Sequence, residues 1–379
     1  MLNVLFLGLV SFFTDISTEM VYPLIPLYLS GVLGAPVEVI GIIEGIAESL
    51  ASLLKVFSGF IVDKFQKKKA LAFSGYATGL VYKLALITAK SWPGVLIARI
   101  IDRFGKGIRT APRDILVSES TPRGKLGFAF GLHKALDMAG AAVGILITYF
   151  LLGNFAEESA YRQIFLISLI PAVLGLIMFF FVKEKTDVNR NNQSIKFWSS
   201  IKSVDLQIKL YLLAVFLFTL GNSSNAFLLL KAKSVGFNNQ TVILLYFVFN
   251  LTAALLSIPC GKLSDKLGRK KLLVGGYLLF SLVYLGFAFV SAYYQMWLLF
   301  VVYGFHIALI TGVERAFLAE IAPINLKGTV LGLLSTITGI ALLPASIITG
   351  ALWKSFGDTI PFVFGALLAV LAALILGLF

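Results

Sequence analysis

Charged side chains stand inside apolar runs of this chain at helical spacings, and such groups can pair with a counter-charge, carry a proton or hold a polar solute. In the first run Asp15 and Glu19 lie four residues apart, and Tyr22 and Pro26 continue the same stripe. In the second, Glu44, Glu48 and Lys55 share one face. The fourth carries Arg99, Arg103, Lys106 and Thr110 as a basic stripe with Asp102 at its edge. The fifth offers His133, Asp137, Gly140 and Gly144 on one face, with Lys134 to the side.

Two chemistries fit this pattern. Asp15, Glu19, Asp102 and Asp137 can neutralise Arg99, Arg103, Lys106 and Lys134 as structural or gating ion pairs. Alternatively Asp15 or Glu19, withdrawn from water, takes up and releases a proton, with Arg103 tuning how readily it does so and Asp137 facing the same space. The coupling set on that reading is Asp15, Glu19, Arg103 and Asp137. Glu48, Arg99, Asp102, Lys106, His133 and Lys134 would line a solute cavity, completed from later in the chain by Asn222, Asn225, His306 and Glu314.

The elements that position these residues follow from composition. Of 379 residues 58% are hydrophobic and 13% charged, with mean hydropathy +0.92, so a water-soluble fold would lack the polar surface to cover itself. A helix needs about 20 apolar residues to cross about 30 Å of hydrocarbon. Apolar runs predict spans near 4–31, 39–62, 70–89, 94–117, 126–153 and 162–182, then 209–230, 239–263, 272–291, 296–320, 329–353 and 361–379. Residues 1–182 and 209–379 thus form two six-helix halves. A polar linker, 183–208, joins them, and its later part has the pattern of an amphipathic surface helix.

The net charge of +13 marks topology rather than nucleic-acid binding. Basic residues crowd the connections after even-numbered spans, as at Lys67 to Lys69 and Arg269 to Lys271, which sets both termini in the cytoplasm of a multi-pass protein of the cell membrane. Asp15 and Glu19 inside the first run argue that it is a retained span and not a signal peptide. Cys260, the single cysteine, reads as packing.

Residues 59 to 69 read GFIVDKFQKKK and residues 261 to 271 read GKLSDKLGRKK. Glu119, Pro122, Gly127 and Gly131 recur as Glu320, Pro323, Gly328 and Gly332. Two blocks in the same order imply duplication, and six spans per copy make the copies parallel. The GxxxDKxGRKK loop resembles the signature of the major facilitator superfamily, and PLIP at Pro23 to Pro26 and RFGKG at Arg103 to Gly107 are similar to segments of its drug:proton antiporters. DISTEM, ARIIDRFGKGIRTAPRD and FGLHKALDMAG look like an uncharacterised prokaryotic group of that superfamily. Ile145 stands where the antiporter glycine motif has proline.

The resemblance implies an all-α polytopic membrane protein with twelve transmembrane helices in two pseudo-symmetric halves, and alternating access for a small solute. Proton-coupled efflux of a drug or metabolite is the leading expectation. Uptake or exchange of an organic anion is the alternative suggested by the basic stripe on the fourth span. Gly59 and Gly261 would let a helix approach closely, Asp63 and Asp265 would accept hydrogen bonds, and Arg269 completes the gating loop. Spans three, six, nine and twelve, nearly free of charge apart from Lys83, would face lipid.

No GxxxxGK[ST] phosphate loop occurs, so ATP-driven pumping by this chain is not expected. Two histidines give little support to a metal site, and no cofactor is expected. A membrane-embedded enzyme is the rival class, yet it does not require a duplicated twelve-span frame. The expected partners are a small solute, protons and lipid, with no nucleic acid and a monomeric state.

Overall fold

In hydrocarbon each backbone polar group must be satisfied within the chain, so apolar runs of this length become helices. The computed structural model describes residues 2–65, 67–121, 126–154, 157–184, 205–311, 313–322 and 327–378, and among the described residues it is helical with no strand. The first span is α1 (Leu2–Glu19) and α2 (Leu24–Gly31), broken at 20–23, where Pro23 lacks a backbone donor. Then come α3 (Val37–Phe65), α4 (Lys68–Thr88), α5 (Trp92–Glu119) and α6 (Leu126–Asn154). The sixth span is α7 (Glu157–Ile167) and α8 (Leu169–Phe180).

The seventh span is α9 (Leu206–Gly221) and α10 (Ala226–Ser234), interrupted at Asn222 to Asn225, whose short polar side chains compete for the backbone. The rest are α11 (Asn239–Leu267), α12 (Arg269–Phe289), α13 (Tyr293–Ile310) with α14 (Val313–Ile321), α15 (Lys327–Phe356) and α16 (Ile360–Gly377). Among the described residues ten spans are long and apolar enough to cross a membrane. With α3 and α5, 29 and 28 residues long, they make the twelve-helix all-α membrane fold expected from the repeat. Charges from Arg99 to Arg109 depress the hydropathy of α5.

Pairing repeats as well. α1 packs on α6 and α8, and α4 on α5 and α8; correspondingly, α9 packs on α15 and α16, and α12 on α13 and α16. Gly268 joins α11 to α12 at φ +89°, a left-handed value that favours glycine and ends the preceding helix. Leu84 on α4, Phe180 on α8, Leu282 on α12 and Leu367 on α16 are exposed. Those apolar faces suit lipid.

The chain divides into two compact units. One holds Met1–Ala35, Leu50–Asn189 and Asn238–Phe247, and the other Pro36–Ser49, Arg190–Phe237 and Val248–Phe379. The start of α3 therefore belongs with the later helices and the start of α11 with the earlier ones. In the first unit Val4, Leu7, Val10, Ala72, Leu116 and Phe179 form a core where α1, α4, α5 and α8 meet. In the second, a methyl group at Gly41 or Gly45 of α3 would strike the backbone carbonyl of Ser346 or Leu343 on α15. The expected amphipathic helix of the linker lies outside the described residues.

Candidate functional site

The seam between α1 and α6 brings most of the charge together in the first unit. Gly140 lies against the backbone of Phe12, and Gly144 against that of Ile16. Thr148 Oγ1 donates to the carbonyl of Met20 at 2.9 Å. Partners rise together along both helices, so α1 and α6 run parallel, and the two glycines let the backbones approach closely. At that separation side chains from the two helices meet in rungs one turn apart. His133 Nε2 and Ser11 Oγ lie 2.9 Å apart, and Asp15 and Asp137, each four residues further on, stand at the next rung. Lys134 Nζ donates to Asp137 Oδ2 at 2.8 Å from an exposed position.

A turn further along α1, Glu19 Oε2 accepts a hydrogen bond from Tyr246 of α11 at 3.1 Å. The Tyr246 ring lies 6.1 Å from that of Tyr22. The guanidinium groups of Arg99 and Arg103 sit over Tyr22 at 5.2 and 5.6 Å. A cation over a tyrosine face is attracted by the ring's negative centre. Asp102 bridges the two arginines at 3.9 and 3.6 Å, and all three are buried. The charge of Lys106 acts on both Asp15 and Glu19. Asp15, Glu19, Arg103 and Asp137 therefore share one unit with Arg99, Asp102, Lys106, His133 and Lys134.

The second unit gathers a smaller polar set. Glu314 Oε1 accepts from the Tyr277 hydroxyl at 3.0 Å, and Tyr211 donates to the Glu314 carbonyl at 3.0 Å. Asn225 Oδ1 accepts from Tyr303 at 2.8 Å, while Asn222 closes α9. His306 is buried, with Nδ1 2.9 Å from the Gly276 carbonyl and Phe218, Phe280 and Tyr303 around its ring, the surroundings of a packing residue. Glu44, 1% exposed, accepts from Ser224 Oγ at 3.1 Å, and Glu48 lies one turn on, half-buried.

Of the gating set, Arg269 pairs with Glu320 at 2.8 Å on the surface. The surroundings of Gly59, Asp63, Gly261 and Asp265 fall outside the described residues, as does the side chain of Lys55. Sequence reasoning passed over Ser11, Tyr76 and Tyr246, because a lone hydroxyl in an apolar run carries no periodic signal. It set Lys83 aside as an oddity of a peripheral span. Lys83 is buried, donates to the Gly79 carbonyl at 3.2 Å and feels the charge of Asp102 on α5.

Comparison with known proteins agrees with this geometry. The Major Facilitator Superfamily matches residues 7–230 and 210–379. An uncharacterized MFS-type transporter of Methanocaldococcus jannaschii is 38% identical over 380 residues, covering 99% of this chain and 94% of that protein. A multi-drug resistance efflux pump PmrA homolog of Lactococcus lactis is 25% identical over 324 residues, covering 82% and 78%. Among solved structures, the nucleoside transporter NupG superposes with a TM-score of 0.83 at 12% identity, over 100% of this chain and 98% of that one. At that identity the likeness concerns the fold.

Proposed function

The chain belongs to the major facilitator superfamily, and on that premise we propose that it is a proton-coupled secondary transporter exporting a drug or metabolite across the cell membrane. Transport itself follows from membership; the coupling, the cargo and the direction are our reading. Efflux is supported by relatives named as multidrug resistance proteins, such as the Lactococcus lactis homolog.

The observation that carries the coupling is that Asp15 and Asp137 each stand one turn beyond the 2.9 Å Ser11–His133 contact, where α1 and α6 pack backbone to backbone. Two carboxylates brought to one rung repel each other when both are ionised, and a proton held by one of them removes that repulsion. The pair therefore holds one exchangeable proton. Glu19 on the same face, and Arg103 beside Tyr22, would set how firmly it is held. The mechanism is alternating access between two six-helix halves, 1–182 and 209–379, joined by a linker at 183–208, with both termini in the cytoplasm.

Purified protein in liposomes tests this, with solutes first selected because they raise its thermal stability. An inward-acid or outward-acid gradient should drive accumulation or release of the selected solute. Unchanged gradient-driven transport in Asp15→Asn, Glu19→Gln and Asp137→Asn alike, with folding controls, would end the proton-coupled reading. A second reading, exchange of an organic anion, is favoured by buried Arg99 and Arg103; counterflow with labelled anions distinguishes it.

A further inference from the structure

In the first unit α4 begins at Lys68 and α8 ends at Phe180, and these two helix ends lie side by side. Lys67 and Lys183, both exposed, place those ends at the level of the lipid head groups. Between the ends opens a groove of about 340 Å³ lined by Lys69, Ala70, Phe73, Phe179, Phe180 and Glu184. Its wall is largely aromatic. The Phe73 ring lies 5.9 Å from that of buried Phe179 and 5.6 Å from that of Phe180, which is 68% exposed. Phe179 also lies 5.6 Å from Tyr76, so the groove is seated on the core of this unit.

Two opposite charges line the same groove. Glu184 Oε1 accepts from the backbone N–H of Lys68, a donor that the first turn of α4 leaves without an intrahelical partner, at 2.9 Å. Lys69 Nζ donates to the carbonyl of Phe180, in the last turn of α8, at 3.4 Å. Each side chain closes the end of a helix, and so a carboxylate and an ammonium are held in place beside apolar surface. A carboxylate can accept several hydrogen bonds and an ammonium carries three donors, so both keep capacity for a ligand. Neighbouring Lys68 adds no charge to the groove, because it is paired with Glu119 at 2.5 Å.

We propose that this groove holds one membrane phospholipid whose head group joins a phosphate to a primary ammonium, as in phosphatidylethanolamine. The phosphate accepts from Lys69 Nζ, the ammonium donates to Glu184, and the upper part of one hydrocarbon chain lies along Phe73 and Phe180. An anionic head group would gain at Lys69 but be repelled at Glu184, whereas a zwitterion is matched at both. A trimethylated ammonium has no N–H to donate, so the carboxylate tells the two zwitterionic head groups apart. The lipid joins the start of α4 to the end of α8, and its binding is independent of cargo and of proton coupling.

Native mass spectrometry tests this on the full chain, released from detergent that carries equal amounts of phosphatidylethanolamine, phosphatidylcholine and phosphatidylglycerol with the same hydrocarbon chains. The parent should retain phosphatidylethanolamine about tenfold over each of the others, the worth of one charge-assisted hydrogen bond. Glu184→Gln still accepts from the Lys68 N–H but has lost its charge, and it should bring the ratio to phosphatidylcholine down to about one. Lys69→Met should lower retention of both zwitterions alike. Equal retention of the three lipids by the parent overturns the proposal, as does retention of none because the chain's own linker fills the groove. A preference that survives Glu184→Gln overturns it too. If that variant does not fold, parental retention of phosphatidylethanolamine in Lys69→Met overturns it instead.

Discussion

Gly144 on α6 lies so close to Ile16 on α1 that a single methyl group there would overlap the Ile16 carbonyl oxygen. The contact is between backbones, which cannot swing aside as a flexible side chain can. The spacing of the two helices, and with it the meeting of Asp15 and Asp137, depends on a missing side chain.

Gly144→Ala is therefore expected to push the helices apart and cost about 1–3 kcal/mol, the usual range for overpacking. Unfolding in detergent checks this, and an unaltered midpoint refutes the close-approach argument.

Asp102 holds Arg99 and Arg103 at 3.9 and 3.6 Å, with Arg99 wholly buried. Asp102→Asn should cost about 3–5 kcal/mol, because two cations lose their buried carboxylate. Adding Arg99→Gln should recover part of that loss. A double-mutant cycle checks it, and strictly additive losses would mean the two side chains do not interact.

Tyr277→Phe removes the hydroxyl that donates to Glu314 Oε1. A buried hydrogen bond contributes about 0.5–1.5 kcal/mol net, and the variant should lose about that much. In a Glu314→Gln background the same change should matter less. Thermal unfolding of the four proteins measures the difference.

Asp358, in the turn between α15 and α16, offers a pH test outside the spans. Burial works to raise its carboxyl, but hydrogen bonds from Lys231 and Ser234 outweigh that and hold it below its ordinary 3.8. A carboxylate lowered in the fold adds stability above its ordinary value, and that stability is lost as pH falls through the folded-state value. Asp358→Asn should thus be less stable than the parent at neutral pH by about 1 kcal/mol, a figure kept small for solvent screening. The gap should close below the ordinary value of 3.8. A gap of constant size across that range contradicts the assignment.

Much of the frame is legible in the sequence, since hydropathy alone places most spans and the repeat supplies α5, whose charges defeat a hydropathy window. The charged faces of α1 and α6 follow from helical spacing, and so do Gly140 and Gly144. Which residues meet is another matter. Tyr246 reaches Glu19 across 227 positions of sequence, and Ser224 reaches Glu44 across 180. Those pairings arise because the starts of α3 and α11 pack in the opposite unit from the rest of their helices, and no local pattern encodes that exchange. Lys83 misled for a different reason: its span is peripheral, yet its side chain turns inward and is buried.

The pairing of α1 with α6 has a twin in α9 with α15, where Ala341 and Ala345 fall at the places of Gly140 and Gly144. The chain thus keeps a second edition of its own seam, with alanines in place of both glycines. A duplicated scaffold can divide its labour in this way. One copy can hold its close backbone approach while the other stays free to drift toward a new cargo, so a change of specificity need not disturb the seam of α1 and α6.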